Sequence, residues 1–130
     1  MKRFRLIVSF FLGLISFAEQ PQFRPTQYVV GIRHKGPSWI ADFNTPEAKR
    51  LLEGHGAVIM KMITSGKLVA AGPFNDPNEL RGLMLFRDCT LDQARDMANE
   101  DPVVKSGQIS IEFHTWTVAT ELRAGKQAER

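Results

Sequence analysis

Two helix starts constrain the fold of this chain more than any other feature of its sequence. The first is Thr45-Pro46-Glu47: a threonine suited to cap, a proline at the first helical position and an acid in the first turn. The second is Thr90-Leu91-Asp92-Gln93, a capping box in which Gln93 reaches back to the cap. Around them lie short runs of β-branched and aliphatic residues. These predict strands over 27–34 (QYVVGIRH), 67–72 (KLVAAG), 81–87 (RGLMLFR) and 108–118. The first helix is expected to run over 46–65 and stop at Gly66, and the second over 91–100, ended by Asp101-Pro102. The order β-α-β-β-α-β predicts an α+β, ferredoxin-like domain: a four-stranded antiparallel sheet with both helices on one face.

That arrangement leaves a face uncovered. In the third strand Leu83 and Leu85 alternate with Met84 and Phe86; in the last, Ile109, Ile111 and Phe113 oppose Trp116 and Val118. Two helices cover one apolar face. The other is expected to meet a second copy of the chain, sheet against sheet, in a two-fold homodimer. Glu112 and His114 share that face with Trp116, so Glu112 needs a partner there.

The domain is expected to span 27–118, after an irregular lead-in over 19–26 and before a polar tail over 119–130. Residues 1–18 read as a signal peptide. A basic start (Lys2, Arg3, Arg5) precedes an apolar run from Leu6 to Phe17, and small residues Ser16 and Ala18 mark a cleavage site after Ala18. The alternative is an uncleaved anchor. The run is about a dozen residues long, against roughly 20 needed to cross a bilayer, which predicts export to the periplasm or medium without a stable membrane anchor. Cleavage removes three of the 17 basic side chains and none of the 14 acidic ones. The remaining chain is then neutral, which argues against nucleic acid as a partner. Cys89 is the only cysteine, so no internal disulfide forms, and it reads as a packed apolar residue. His34, His55 and His114 are far apart in sequence and show no metal-ligand spacing.

One residue breaks the first helix's pattern. Its apolar stripe runs Ala48, Leu51, Leu52, then Ile59, Met62, Ile63, and position 55 within it is histidine. An imidazole turned inward is costly unless its nitrogens find partners. Gly54 and Gly56 flank it, each costing about 1 kcal/mol relative to alanine, and they would let a backbone or ligand come close. A carboxylate beside His55 would fix its tautomer, as an acid or base requires. Asp76, after the second strand, and Asp101, after the second helix, are both candidates. Each also has a local explanation in turn chemistry, and His55 itself would otherwise be a core histidine bonded to a carbonyl. Arg81 and Lys105 are candidate ligands for an anionic substrate, and Trp39 a candidate lid; the alternative for all three is an ordinary surface position.

Read in order, His55, Gly66, Gly72-Pro73-Phe74, Asp76, Arg81-Gly82, the segment from Asp101 to Gly107 (DPVVKSG), Glu112 and Trp116 resemble the YciI-related (YCII domain) proteins of the dimeric α+β barrel superfamily. The resemblance covers residues 27–117. The Gly54-His55-Gly56 run and the signal peptide depart from the family pattern. The resemblance implies a homodimer with a cleft between helices and sheet, and a His55–aspartate acid–base dyad. It implies no single reaction: related barrels isomerise or dehalogenate lactones, or oxidise small aromatics, without a cofactor. Two functions follow. One is a cofactor-free acid–base enzyme acting on a small anionic or lactone-like substrate. The other is a dimeric, non-catalytic module that binds a small ligand in the same cleft.

Overall fold

A computed structural model describes residues 25–119 except residue 77; the expected signal peptide and nearly all of the lead-in and tail lie outside these residues. The elements are β1 (Thr26–Lys35), α1 (Pro46–Thr64), β2 (Leu68–Pro73), β3 (Leu80–Phe86), α2 (Leu91–Asn99), α3 (Pro102–Lys105) and β4 (Ile109–Val118). The sheet order is β2-β3-β1-β4, and every neighbouring pair is antiparallel. This is the ferredoxin-like topology. β1 is central and pairs with β4 along its whole length, from Thr26 opposite Val118 to Lys35 opposite Ile109.

The helix boundaries follow from local chemistry. Thr45 Oγ1 accepts the Ala48 N–H at 3.1 Å. Thr90 and Gln93 satisfy each other's backbone N–H groups at 3.1 and 2.9 Å. Gly66, at φ 73°, takes the left-handed turn that ends α1, with its N–H bonded to the Ile63 carbonyl. One element departs from the sequence reading: Asp101-Pro102 ends α2 but also starts α3. Asp101 caps it and Pro102 sits at the first position. Four residues are too few for a hydrophobic period to register, so only the cap signals it.

The helices pack on one face of the sheet. Val29, Leu68, Met84 and Phe86 from the strands meet Met62 of α1 and Ala94 of α2 in one buried cluster. Ala94 and Ala98 are fully buried, letting α2 lie close to the sheet. Cys89 packs against this cluster, and burial pushes its thiol pKa up. The α1 stripe is rotated from the expected one. Ala48 and Met62 are buried and Val58 and Ile59 pack on the core, whereas Leu52 and Ile63 are 42% and 48% exposed. The rotation keeps His55 on the inward line, since positions 48, 55, 59 and 62 are spaced by whole turns.

The opposite face carries a second cluster: Tyr28, Leu85 and Val118, with Val30 and Val69 against them. Leu83 and Trp116 on this side remain 38% and 46% exposed. Glu112 has its partners here. His34 Nε2 lies 3.3 Å from one of its oxygens and His114 Nε2 2.8 Å from the other, and the His114 hydrogen bond draws its carboxyl below the usual range.

Phe86 has no exposed surface, belongs to the cluster that joins the sheet to α1 and α2, and lies 6.4 Å, ring centroid to centroid, from Phe113. Phe86→Ala should cost about 3–5 kcal/mol of stability. Urea unfolding should show a lowered midpoint with an unchanged slope. A loss below about 1 kcal/mol, the scale of an ordinary surface change, would mean that this core is not continuous.

Candidate functional site

His55 meets Asp101. Its Nδ1 lies 2.5 Å from Asp101 Oδ2, with the histidine side chain 21% exposed and the aspartate 5%. The other Asp101 oxygen caps α3 by accepting the Val103 N–H at 2.9 Å. The local turn role and the contact with His55 are thus filled by different oxygens of one carboxylate. Capping fixes the rotamer that presents Oδ2 to the imidazole. An ionised carboxylate only accepts, so Nδ1 is the donor in this contact, and in the neutral imidazole that leaves the lone pair on Nε2.

Gly54 makes this meeting possible. A Cβ there would stand 2.6 Å from Pro102 Cγ, inside contact distance with a rigid ring. The glycine lets α3 press against α1 and brings Asp101 within reach of His55. Gly56 has no such neighbour within 4 Å.

Asp76 is not the partner. It is exposed, it accepts a hydrogen bond from the Asn78 side chain, and it does not line the cavity beside His55. Its carboxylate serves the turn between β2 and β3, as an Asx residue commonly does. Lys105 also lies apart. It is exposed in the last turn of α3, outside that cavity, where it acts on the Glu100 carboxyl.

The cavity holds about 240 Å³ between the first half of α1, the loop over residues 36–45 and the sheet. Its walls include Ile40, Phe43, Leu51, Leu52 and Ile109, and its polar lining is His55, Arg33, Arg81 and Gln108. The volume falls below the usual range for drug-sized ligands and suits a small molecule. Trp39 lines it and meets Phe43 edge to face, ring centroids 5.5 Å apart. The loop bearing Trp39 is strapped to the start of β4. Gly36 donates to the Gln108 carbonyl, Ser38 to the Gly107 carbonyl, and Ile40 to Gln108 Oε1 at 2.7 Å.

Arg81 reaches the cavity through an irregularity in the sheet. β1 pairs Arg33 with Gly82 and then His34 with Leu80, leaving Arg81 as the extra residue. A bulge of this kind re-aims a side chain. The Arg81 guanidinium carbon sits 4.9 Å from the Trp39 ring centroid, and its buried Nε has no hydrogen-bond partner among the described residues.

Arg33 and Gln108 are lining residues that the sequence reading passed over. The signal for Arg33 was present: in QYVVGIRH the alternation places Arg33 with Val29 and Gly31 on the helix face, where an aliphatic residue would be expected. Burial lowers the Arg33 pKa, nearby Asp101 opposes that, and the Arg81 charge adds to it. No comparable pattern marked Gln108.

No family model matches the chain, and no curated protein matches it. Among solved structures the chain is similar to 5-chloro-2-hydroxyhydroquinone dehydrochlorinase (TftG) from Burkholderia phenoliruptrix AC1100, in complex with 2,5-dihydroxybenzoquinone. The identity is 12% and the TM-score 0.48, over 68% of this chain and 92% of that chain.

The Gly54–Pro102 approach makes Gly54→Ala diagnostic. In an open helix the change would stabilise by about 1 kcal/mol. Here it should bring no gain, and it should erase the slowly exchanging Nδ1 proton of His55 in histidine-selective proton NMR. A more stable variant with that proton intact would show that the close approach is not needed to hold the pair.

Proposed function

We propose that this chain is a YCII-related protein that moves a proton on a small substrate without a cofactor, with His55 as the acid–base and Asp101 as its orienting partner. The observation that carries the reading is the 2.5 Å contact between a nearly buried carboxylate and a histidine that lines a cavity. A core histidine needs no cavity, and a carboxylate serving only as a cap needs no imidazole.

In the proposed step His55 Nε2 takes a proton from a carbon acid, and the electron pair of the broken C–H bond moves onto the adjacent carbonyl as an enolate. Arg81 holds the substrate's negative charge. Return of the proton at a different carbon is an isomerisation. Expulsion of a leaving group by the same electron pair is an elimination. An activated water in place of the carbon acid gives hydrolysis. The imidazole supplies all the proton traffic, so the step itself calls for no cofactor. Trp39 and Phe43 shield the cavity, which strengthens these interactions by excluding water.

The exposed Leu83 and Trp116 side is proposed as the interface of a homodimer, sheet against sheet, with Trp116 as its anchor. Export, with cleavage after Ala18, completes the reading.

The test is deuterium exchange and turnover, followed by NMR, across a library of lactones and enolisable carboxylic acids. His55→Gln should abolish any activity found. Asp101→Asn should lower it by about 10²–10⁴-fold. An amide at 101 still accepts from Val103 but presents a donor to Nδ1, which moves the imidazole proton to Nε2 and removes the base. Ligand binding by the parent without exchange or turnover of any member would replace the enzyme with a binding module. Sedimentation equilibrium tests the interface: the parent should dimerise, and Trp116→Ala should weaken the dimer at least about ten-fold, the scale of an interface hot spot. A parent that stays monomeric at high concentration removes the dimer from the proposal.

A further inference from the structure

The two arginines of the cavity have no carboxylate of their own. Arg33 and Arg81 both line it, neither makes an ion pair within 4 Å among the described residues, and the Arg81 charge acts on the Arg33 guanidinium. Arg33 stands on the helix face of β1, and the Arg81 guanidinium carbon lies 4.9 Å from the Trp39 ring centroid. Placing two like charges in a partly desolvated space is unfavourable unless an anion joins them. Asp101 acts on Arg33 electrostatically, but its two oxygens are already engaged, by His55 and by the Val103 N–H.

We infer that Arg33 and Arg81 form a clamp for the carboxylate of a small monoanionic acid with a flat apolar body, and that this defines the substrate class of the cavity. The inference rests on the cavity being the working site, as proposed above. Four features favour it over an uncharged lactone. Two guanidiniums against one Asp101 carboxylate leave one uncompensated positive charge, which one carboxylate balances. A guanidinium presents its N–H groups as a planar fork that matches two carboxylate oxygens, and Arg81 has an Nε–H with no partner. The Trp39 ring packs against the Arg81 guanidinium, so less side-chain freedom is lost on binding. Beyond His55 and Gln108, whose Oε1 already accepts the Ile40 N–H, the walls at Ile40, Phe43, Leu51 and Leu52 are apolar, so most of the ligand body is apolar. Arg33 is then a substrate-binding residue in its own right. His55 lines the same cavity, so a bound acid would present its body to the base.

Calorimetric titration of the full chain with benzoate, benzamide and acetate tests this. Benzoate and benzamide share shape but not charge; acetate has the charge without the flat body. Benzoate should bind at least about ten-fold more tightly than either, since charge-assisted bonds are about twice as strong as neutral ones. Arg33→Lys and Arg81→Lys keep the charge but lose the fork, and each should weaken benzoate about ten-fold. Circular dichroism should show both variants folded, and the comparison of the three ligands on the parent needs no variant at all. Benzamide equal to benzoate, no benzoate binding at millimolar concentration, or full benzoate affinity in both lysine variants would each overturn the clamp. The two readings fail separately. His55→Gln should keep the preference for benzoate over benzamide, since the clamp is untouched, while abolishing exchange. Exchange that survives in His55→Gln beside intact benzoate selectivity overturns the dyad and leaves the clamp. Exchange lost in His55→Gln beside equal benzoate and benzamide binding does the reverse.

Discussion

The contact of Pro102 with Gly54 is the constraint on which the site depends. α1 carries a histidine on its inward line, and α3 is one turn capped by Asp101. Only because position 54 lacks a Cβ can the proline ring seat against α1 and deliver the carboxylate to the imidazole. A glycine in mid-helix costs about 1 kcal/mol of propensity, and an aspartate side chain only 5% exposed costs more unless its oxygens are bonded. The Val103 N–H and His55 Nδ1 meet that second cost together. The pair is therefore part of how the two helices are joined, as well as a chemical group.

Around that pair the sheet supplies charge and the loop supplies shelter. β1 places Arg33 by strand alternation, and the irregularity opposite it places Arg81. The loop over residues 36–45 is fastened to the entry of β4 through Gly36, Ser38 and Ile40, which seats Trp39 over Arg81. Each element contributes one or two side chains, so the cavity's chemistry belongs to the assembled fold.

The sheet's other side follows a different rule. Its apolar cluster of Tyr28, Leu85 and Val118 lies beside a polar strip in which Glu112 holds His34 and His114. Glu112 is open to solvent, so these bonds orient side chains more than they stabilise the fold.

Sequence alone determined the order of the four strands and the two longer helices, both of those helix caps, the stop at Gly66 and the two-faced character of the strands. These depend on neighbours within a few residues or on a simple period, and the chain displays both directly. It also marked His55, because a titratable group on an apolar stripe stands out against its period. Arg33 broke the period of β1 in the same way, but a short, mostly apolar strand made the break easy to pass over. What only the tertiary structure decided was which groups meet. Asp76 and Asp101 were equivalent as letters, each a turn-forming aspartate. Lys105 and Arg81 were likewise both basic residues next to turns. The choice fell to Asp101 and Arg81 because helix–helix contact at a missing Cβ, and one extra residue in a strand, are properties of packing between segments far apart in sequence.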